Sequence, residues 1–298
     1  MMKLVVVIPT LGRCGQVTRL LAHLDRQTRR PDAVIVSAPD PTHVERFPLS
    51  SFPVSAIFGP KGLAAQRNSA LEAVAGKFDI VTFFDDDFVP ADDYLDGIVS
   101  AFTAHREWSV VMGRVVLDGA TGAGFDWDDA LTALAETSQK PPPLPAIIEH
   151  VGAYGCNMSI RAAAIGPLRF DERLALYGWQ EDIDFTSQMR AHGRCVQLSH
   201  LRGVHLGLKS GRVSGERFGY SQIVNPIYLV RKGTVPASFA LPLMLRNIAA
   251  NLFRSLRPEP HVDRRGRLRG NLLAFAHLLR GRVEPEYIVN IQRIRWWP

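Results

Sequence analysis

Ile80-Val81-Thr82-Phe83-Phe84-Asp85-Asp86-Asp87 sets a short apolar run directly against three carboxylates. An uninterrupted apolar run of this length suits a strand covered on both faces, as in a parallel sheet. The carboxyl end of such a strand is where open α/β sheets bind ligands. Residues i and i+2 of an extended chain face the same way, so Asp85 and Asp87 can address one ligand. Two such carboxylates suit a hard divalent cation, Mg²⁺ or Mn²⁺, which also bridges phosphates. A solvated acidic turn is the plainer alternative, although three adjacent carboxylates repel one another unless something cationic sits nearby.

Outward from this run, strand and helix patterns alternate. Residues 4–8 form a second apolar run, followed by Val17, Leu20, Leu21 and Leu24 at helical spacing. Residues 33–36 read as strand, 63–75 as helix, 94–104 as helix and 109–117 as strand, with shorter patterns at 156–161 and 182–191. Alternation of this kind predicts a doubly wound α/β sheet. The proline-rich stretch 137–145 reads as a loop.

Composition narrows the class. The 298 residues are 46% hydrophobic and 21% charged, which fits a folded globular chain and argues against disorder. Cys14, Cys156 and Cys195 are odd in number and widely spaced, so neither a disulfide framework nor a zinc site is expected, and a reducing compartment is. The run at 4–8 is too short for a signal peptide. The stretch 235–253 is broken by prolines and Arg246, so no segment reaches the ~20 apolar residues of a membrane span.

Charge divides the chain. Residues 1–199 hold 18 basic against 24 acidic residues, and residues 200–298 hold 17 against 5. A basic tail on an acidic body points to an anionic partner. Beyond about 230 the pattern becomes basic amphipathic helices. The expected division is therefore a catalytic domain over 1–230 and a helical extension over 231–298. Phe239, Leu241, Leu243, Leu252 and Phe253 could enter a membrane interface, pack on the main domain, or form a homodimer contact.

Three further features carry chemistry. Gly178-Trp179-Gln180-Glu181-Asp182 sits at an expected helix start, where acids are also favoured by the dipole alone. An indole before two acids suits a sugar face and a hydroxyl proton. The turn at 59–62 leads into a helix whose N-terminus can bind phosphate, without a P-loop pattern. His205 is either a structural histidine or a metal ligand, and Lys209, Ser210, Gly211 and Arg212 after it could hold phosphate oxygens or form a solvated loop.

Taken in order, these segments resemble the family 2 glycosyltransferases, inverting enzymes of the GT-A fold. The matching stretches include Val6-Val-Ile-Pro-Thr10, Gln66-Arg67-Asn68, Phe84-Asp-Asp-Asp87, Gly155-Cys-Asn-Met-Ser-Ile-Arg161 and Gly178-Trp-Gln-Glu-Asp182. The resemblance implies a Rossmann-like mixed α/β sheet and transfer of a sugar from a nucleoside-diphosphate donor, UDP by default, to an acceptor hydroxyl. Pro9, Thr10, Arg13, Asp40, Arg67, Asp85 and Asp86 would hold the nucleotide-sugar. Asp87 and His205 would ligate Mg²⁺ or Mn²⁺. Asp182 would be the general base, with Trp179 and Glu181 on the acceptor. The strand end Val36-Ser37-Ala38-Pro39-Asp40 departs from the family's usual acidic turn. The Q-x-x-R-W motif and membrane spans of processive synthases are absent, which favours single addition to a bacterial polysaccharide or lipid-linked glycan. The expected place is the cytoplasm, with the extension on the cytoplasmic face of the inner membrane, packed on the main domain or in a dimer contact. Two rivals remain. Asp85-x-Asp87-x-Val89 formally satisfies the nucleophile motif of haloacid-dehalogenase-type phosphatases. The basic third could serve a non-enzymatic nucleic-acid-binding protein, though it carries no signature of one.

Overall fold

A computed structural model describes residues 2–291 apart from 141, 142, 145, 211, 212 and 258. The elements run β1 (Leu4–Pro9), α1 (Cys14–Leu24), β2 (Ala33–Ala38), β3 (Val54–Phe58), α2 (Leu63–Val74), β4 (Ile80–Phe83), β5 (Phe88–Pro90), α3 (Tyr94–Ala104) and β6 (Trp108–Asp118). They continue with α4 (Trp127–Ser138), β7 (Ile147–Glu149), β8 (Met158–Arg161), α5 (Ala162–Ile165), α6 (Glu181–Gln188), β9 (Arg194–His205), α7 (Gly215–Lys232), α8 (Ala237–Arg254) and α9 (Arg264–Leu278).

The strands form one sheet of nine in the order β3-β2-β1-β4-β8-β6-β9-β5, with β7 beside β9. β3, β2, β1 and β4 are mutually parallel, β8 is antiparallel to β4 and β6, and β9 is parallel to β6. The sheet is therefore mixed and mostly parallel at its centre. β1 shows why its run is continuously apolar. Leu4, Val6 and Ile8 pack in one core with Leu20 and Leu21 of α1 and Ile98 of α3. Val5 and Val7 pack in a second core with Leu71 and Val74 of α2. Alternate side chains feed opposite layers, so neither face tolerates a polar residue.

The short strands β3, β5 and β7 and the helix α4 have no counterpart in the sequence reading. The expected loop at 137–145 begins inside α4, which an Asp126–Asp129 capping box starts, and part of it lies outside the described residues, as do Gly211 and Arg212.

α7, α8 and α9 form a helical unit that begins at Gly215, before the composition change near 230. α7 and α9 pack at backbone distance. A Cβ at Gly219 would lie 2.0 Å from the Arg267 carbonyl oxygen, and one at Gly270 would lie 2.0 Å from that of Glu216. Tyr220, Ile223, Met244 and Ala274 share a core with the half-buried Leu176 of the main domain. The unit is also pinned by charge. Lys232 Nζ donates to Asp184 (2.7 Å) and Asp171 (2.8 Å), and Thr234 Oγ1 donates to Asp184 (2.6 Å). Asp184 lies on α6, so the helical unit grips the helix that opens with Glu181 and Asp182. Among the described residues, no helix is long and apolar enough to cross a membrane.

Candidate active site

The carboxyl ends of β1, β4, β6 and β9 open on one side of the sheet. A cavity of about 530 Å³ lies there, lined by Thr10, Arg13, Asp85, Asp87 and His205 on the sheet side. Lys61 and Leu63 at the start of α2, Tyr177, and Arg217 on α7 line the rest. Strands β2 and β4 lie on opposite sides of β1, so this is the switch point where α/β sheets leave a crevice.

β4 ends at Phe83, and the three aspartates leave it in a turn in which Phe88 N donates to Asp85 O (3.0 Å). They part company there. Asp86 turns inward, accepting from Thr10 Oγ1 and Arg13 Nη1, both at 2.7 Å. Burial pushes its carboxyl up to about 7, against the pull of Arg13. Asp85, Asp87 and His205 instead each bring one ligand atom within 4.8 Å of the others. Asp85 and Asp87 lie close enough to address one ligand, and a turn brings them together, not extended i, i+2 geometry.

Asp87 is buried, yet it stays ionised. Burial alone would raise it, but the bond and charge of His205, with Arg13 at 3.2 Å, hold it below the usual carboxylate range. Its Oδ2 accepts from Leu208 N (2.9 Å). His205 Nε2 lies 3.4 Å from Asp87 Oδ1, while its Nδ1 lies 3.0 Å from Asp118 Oδ1. Tyr154 Oη is 3.1 Å from the same Nδ1. Burial pulls the imidazole down, but Asp118 and Asp87 outweigh it and hold His205 at about 10. A carboxylate at Nδ1 fixes the ring and points Nε2 at the ligand set. This is the usual support of a metal-bound histidine. Two carboxylates and one imidazole suit Mn²⁺ or Mg²⁺, so the residues present fit such an ion.

Asp118 was missed by the sequence reading. It ends β6 as Asp85 follows β4, and β6 pairs Asp118 directly with His205. An acid closing an apolar strand was the available signal.

Below the aspartates lies a second charge cluster. Arg67 is fully buried on α2. Its guanidinium bonds Glu181 and donates to Asp85 Oδ1 (3.0 Å) and the Gly155 carbonyl oxygen (2.9 Å). It lies over the rings of Phe83 and Phe170. α6 starts from Gln180 in a left-handed conformation (φ 73°), which turns Glu181 inward. Burial pushes Glu181 up to about 8 although Arg67 opposes it. Asp182 follows, accepting from Gly155 N (2.7 Å) and Ile183 N (2.8 Å). A Cβ at 155 would lie 2.9 Å from Asp182 Oδ2 and 3.1 Å from the Arg67 guanidinium, so a side chain there would displace both. Burial raises Asp182 above the usual carboxylate value, with Arg67 and the two N–H donors opposing.

Four of the expected site residues are engaged with other parts of the chain. Neither Arg67 nor Asp182 lines the cavity, and Arg67 pairs with Glu181 and Asp85 from beneath. Glu181 is consumed by that same pair and is closed to an acceptor. Trp179 does not line the cavity either. Its indole packs edge-on against Phe218, and its carbonyl accepts from Asn225 Nδ2 (2.7 Å). Asp40 caps the 3-10 turn Pro41–His43 by accepting from Thr42 N (2.8 Å), because a short carboxylate before a proline is satisfied locally. Pro9, Thr10 and Arg13 do border the cavity.

The motif Gln66-Arg67-Asn68 ties α2 to its surroundings, and Gln66 also lines the cavity. Gln66 Nε2 donates to the carbonyls of Thr10 (2.8 Å) and Ser37 (2.9 Å), joining α2 to the ends of β1 and β2. Asn68 binds the backbone N–H and carbonyl of Phe170.

The model of the family described as "Glycosyl transferase family 2" matches residues 5–154. A search of curated proteins finds no match to the sequence. Among solved structures, S. aureus TarS 1-349 in complex with UDP-GlcNAc has a TM-score of 0.56 at 17% identity, over 93% of this chain and 81% of that one. The same fragment in complex with UDP has a TM-score of 0.51 at 18% identity, over 87% and 76%. A further S. aureus TarS chain is matched over 76% of this chain and 39% of its own length, with a TM-score of 0.49 at 19% identity. The present chain thus spans well under half of that protein.

Proposed function

Because this chain belongs to glycosyl transferase family 2, we propose that it moves a sugar from a nucleoside-diphosphate sugar to an acceptor hydroxyl, with inversion at the anomeric carbon. The observation that carries this reading is the convergence of Asp85, Asp87 and His205 at the sheet's carboxyl edge, with the half-buried Asp182 at the start of α6. Family membership removes the ground for the phosphatase and nucleic-acid readings. A UDP-sugar is the first donor to try, since the structurally similar TarS fragment binds UDP-GlcNAc and UDP. The acceptor is a glycan or lipid-linked glycan, and the place of action is the cytoplasm, which suits three free cysteines.

Asp85, Asp87 and His205 would hold a divalent cation, Mg²⁺ or Mn²⁺, which would supply positive charge to the leaving diphosphate. The chain's own residues do the rest. Asp182 takes the proton of the acceptor hydroxyl as its oxygen bonds to the anomeric carbon. The bond from that carbon to the phosphate oxygen breaks, and the nucleoside diphosphate leaves. Arg13 and Thr10 keep Asp86 turned in, so that Asp87 presents a carboxylate oxygen to the cavity.

The test is a panel of nucleotide-sugars with and without Mn²⁺. A donor present at a hundredfold its Kd should stabilise the fold by about 2.7 kcal/mol, and only with the cation. Release of a nucleoside diphosphate should follow. If no nucleotide-sugar shifts the melting curve in either condition, the proposal fails.

Asp118 gives a second test. Asp118→Ala should weaken Mn²⁺ binding about 10–100-fold, because His205 loses the carboxylate that orients its ring. Titration calorimetry of the otherwise unchanged protein measures this. Equal affinity in the variant would reduce Asp118 to a bystander.

A further inference from the structure

We propose that the outer face of α8 docks on an anionic lipid surface. The inference stands on the helical unit alone and does not depend on the sugar-transfer reading.

A surface helix needs one apolar stripe to pack, and α8 carries two. Ala240 and Met244 face inward, into cores shared with α7 and the main domain. On the other side Leu241, Leu245 and Leu252 recur at helical spacing, and the row continues to Leu256 just past the helix. Their exposures are 42%, 59%, 50% and 79%, and Phe253 beside them is exposed at 70%. Leu272 on α9 and Leu279 just past its end are also exposed. Single exposed leucines are ordinary on a soluble surface, but an aligned row is a docking face. The two rival readings of the sequence thus apply to different side chains. Phe239 is half-buried against the main domain, while Leu241, Leu252 and Phe253 are left outside.

Charge selects the occupant. α8 and α9 carry no acidic residue. Arg246 and Arg257 are exposed beside the stripe, and Arg265 and Arg269 are exposed on α9. Arg254 is set aside because it pairs with Glu259 at 3.0 Å. A second copy seated on α8 by a twofold axis would set arginine against arginine with no acid to answer. An anionic bilayer surface answers both parts at once, taking the leucines into its interface and the guanidinium groups among its headgroups. α8 has 18 residues, so it would lie along the surface for about 27 Å. The turn leading into α8 holds Thr234, which bonds Asp184 of α6. Docking therefore places the bilayer one connection away from the helix that carries Asp182.

The experiment is co-sedimentation of the full chain with vesicles of phosphatidylcholine alone or mixed with phosphatidylglycerol. The protein should pellet with the anionic vesicles, and salt should release it. Arg246→Gln and Arg257→Gln should each lower the partition coefficient roughly fivefold. Leu245→Ser with Leu252→Ser should lower it further, with melting curves showing that each variant folds. Should the leucine variant misfold, the arginine variants decide alone, since they alter only exposed side chains. No pelleting, or equal pelleting on both vesicle types, overturns the proposal. So does a dimer in analytical ultracentrifugation that Leu252→Glu dissociates, for then a second copy covers this face.

Discussion

Asp182→Asn should lower turnover by about 10²–10⁴-fold, the usual contribution of a general base, while the nucleotide-sugar still binds. The expectation rests on how the carboxylate is held. Gly155 N and Ile183 N each occupy one of its lone-pair positions. An ionised carboxylate has about four such positions, so it retains capacity for a hydroxyl proton. The asparagine matches its shape and removes its basicity. Donor affinity, read by thermal shift with Mn²⁺, should be preserved, because Asp182 lies outside the cluster formed by Asp85, Asp87 and His205. Near-normal turnover in this variant would remove Asp182 from the mechanism.

The pH dependence follows in sign. Burial, opposed by Arg67 and the two N–H donors, raises Asp182 above its ordinary value. The base works only when ionised, so activity should fall as pH drops through that raised value. The acid limb of kcat/KM should therefore lie above the ~3.9 of a solvated aspartate. The same shift has a cost in stability. A carboxylate whose folded value is raised favours folding at low pH, and that advantage is lost as pH rises through the folded value. An acid limb at or below the solvated value would mean that Asp182 is not the desolvated group described above.

Arg67→Met should destabilise the protein by about 3–5 kcal/mol, the range for removing one partner of a buried ion pair. The guanidinium has no contact with solvent and answers Glu181 and Asp85 together. Methionine fills much of the volume but leaves Glu181 buried and unpaired. Burial already pushes the Glu181 carboxyl up against the pull of Arg67, and without Arg67 it should go higher still. The double variant Arg67→Met with Glu181→Gln should recover a large part of the loss, because the buried charge is then gone as well as its partner. Chemical denaturation of the two single variants and the double variant measures the coupling. Additive losses would mean that the pair is not a unit.

Much of the scaffold was legible because periodicity is local. The continuous apolar runs at 4–8 and 80–84 are buried strands, and the helical spacing at 94–104 is α3 with those same bounds. The three short strands were not legible, since three to five residues carry too little pattern to register. They matter nonetheless. β5 pairs Phe88 with His205 and so draws the end of β9 up to the aspartates.

The limits of sequence reading are clearest in the charges. Three adjacent aspartates suit a cation, and acids at a helix start suit either the dipole or a proton acceptor, the base itself being implied by the family resemblance. The first two statements need only composition and spacing, and the order of the segments along the chain suffices for the family. Spacing does not say which cation answers which carboxylate. Arg67 and Glu181 are far apart in sequence, as are Asp118 and His205, yet each pair is in contact. The sheet order β4-β8-β6-β9 and the left-handed turn at Gln180 make those pairs. By itself the sequence determined the layers of the fold and the chemical types in the site. Only the tertiary structure decided that Asp87 faces His205, Asp86 faces Thr10 and Glu181 faces Arg67. Charge pairing acts through space, and the chain's own periodicity carries no record of it.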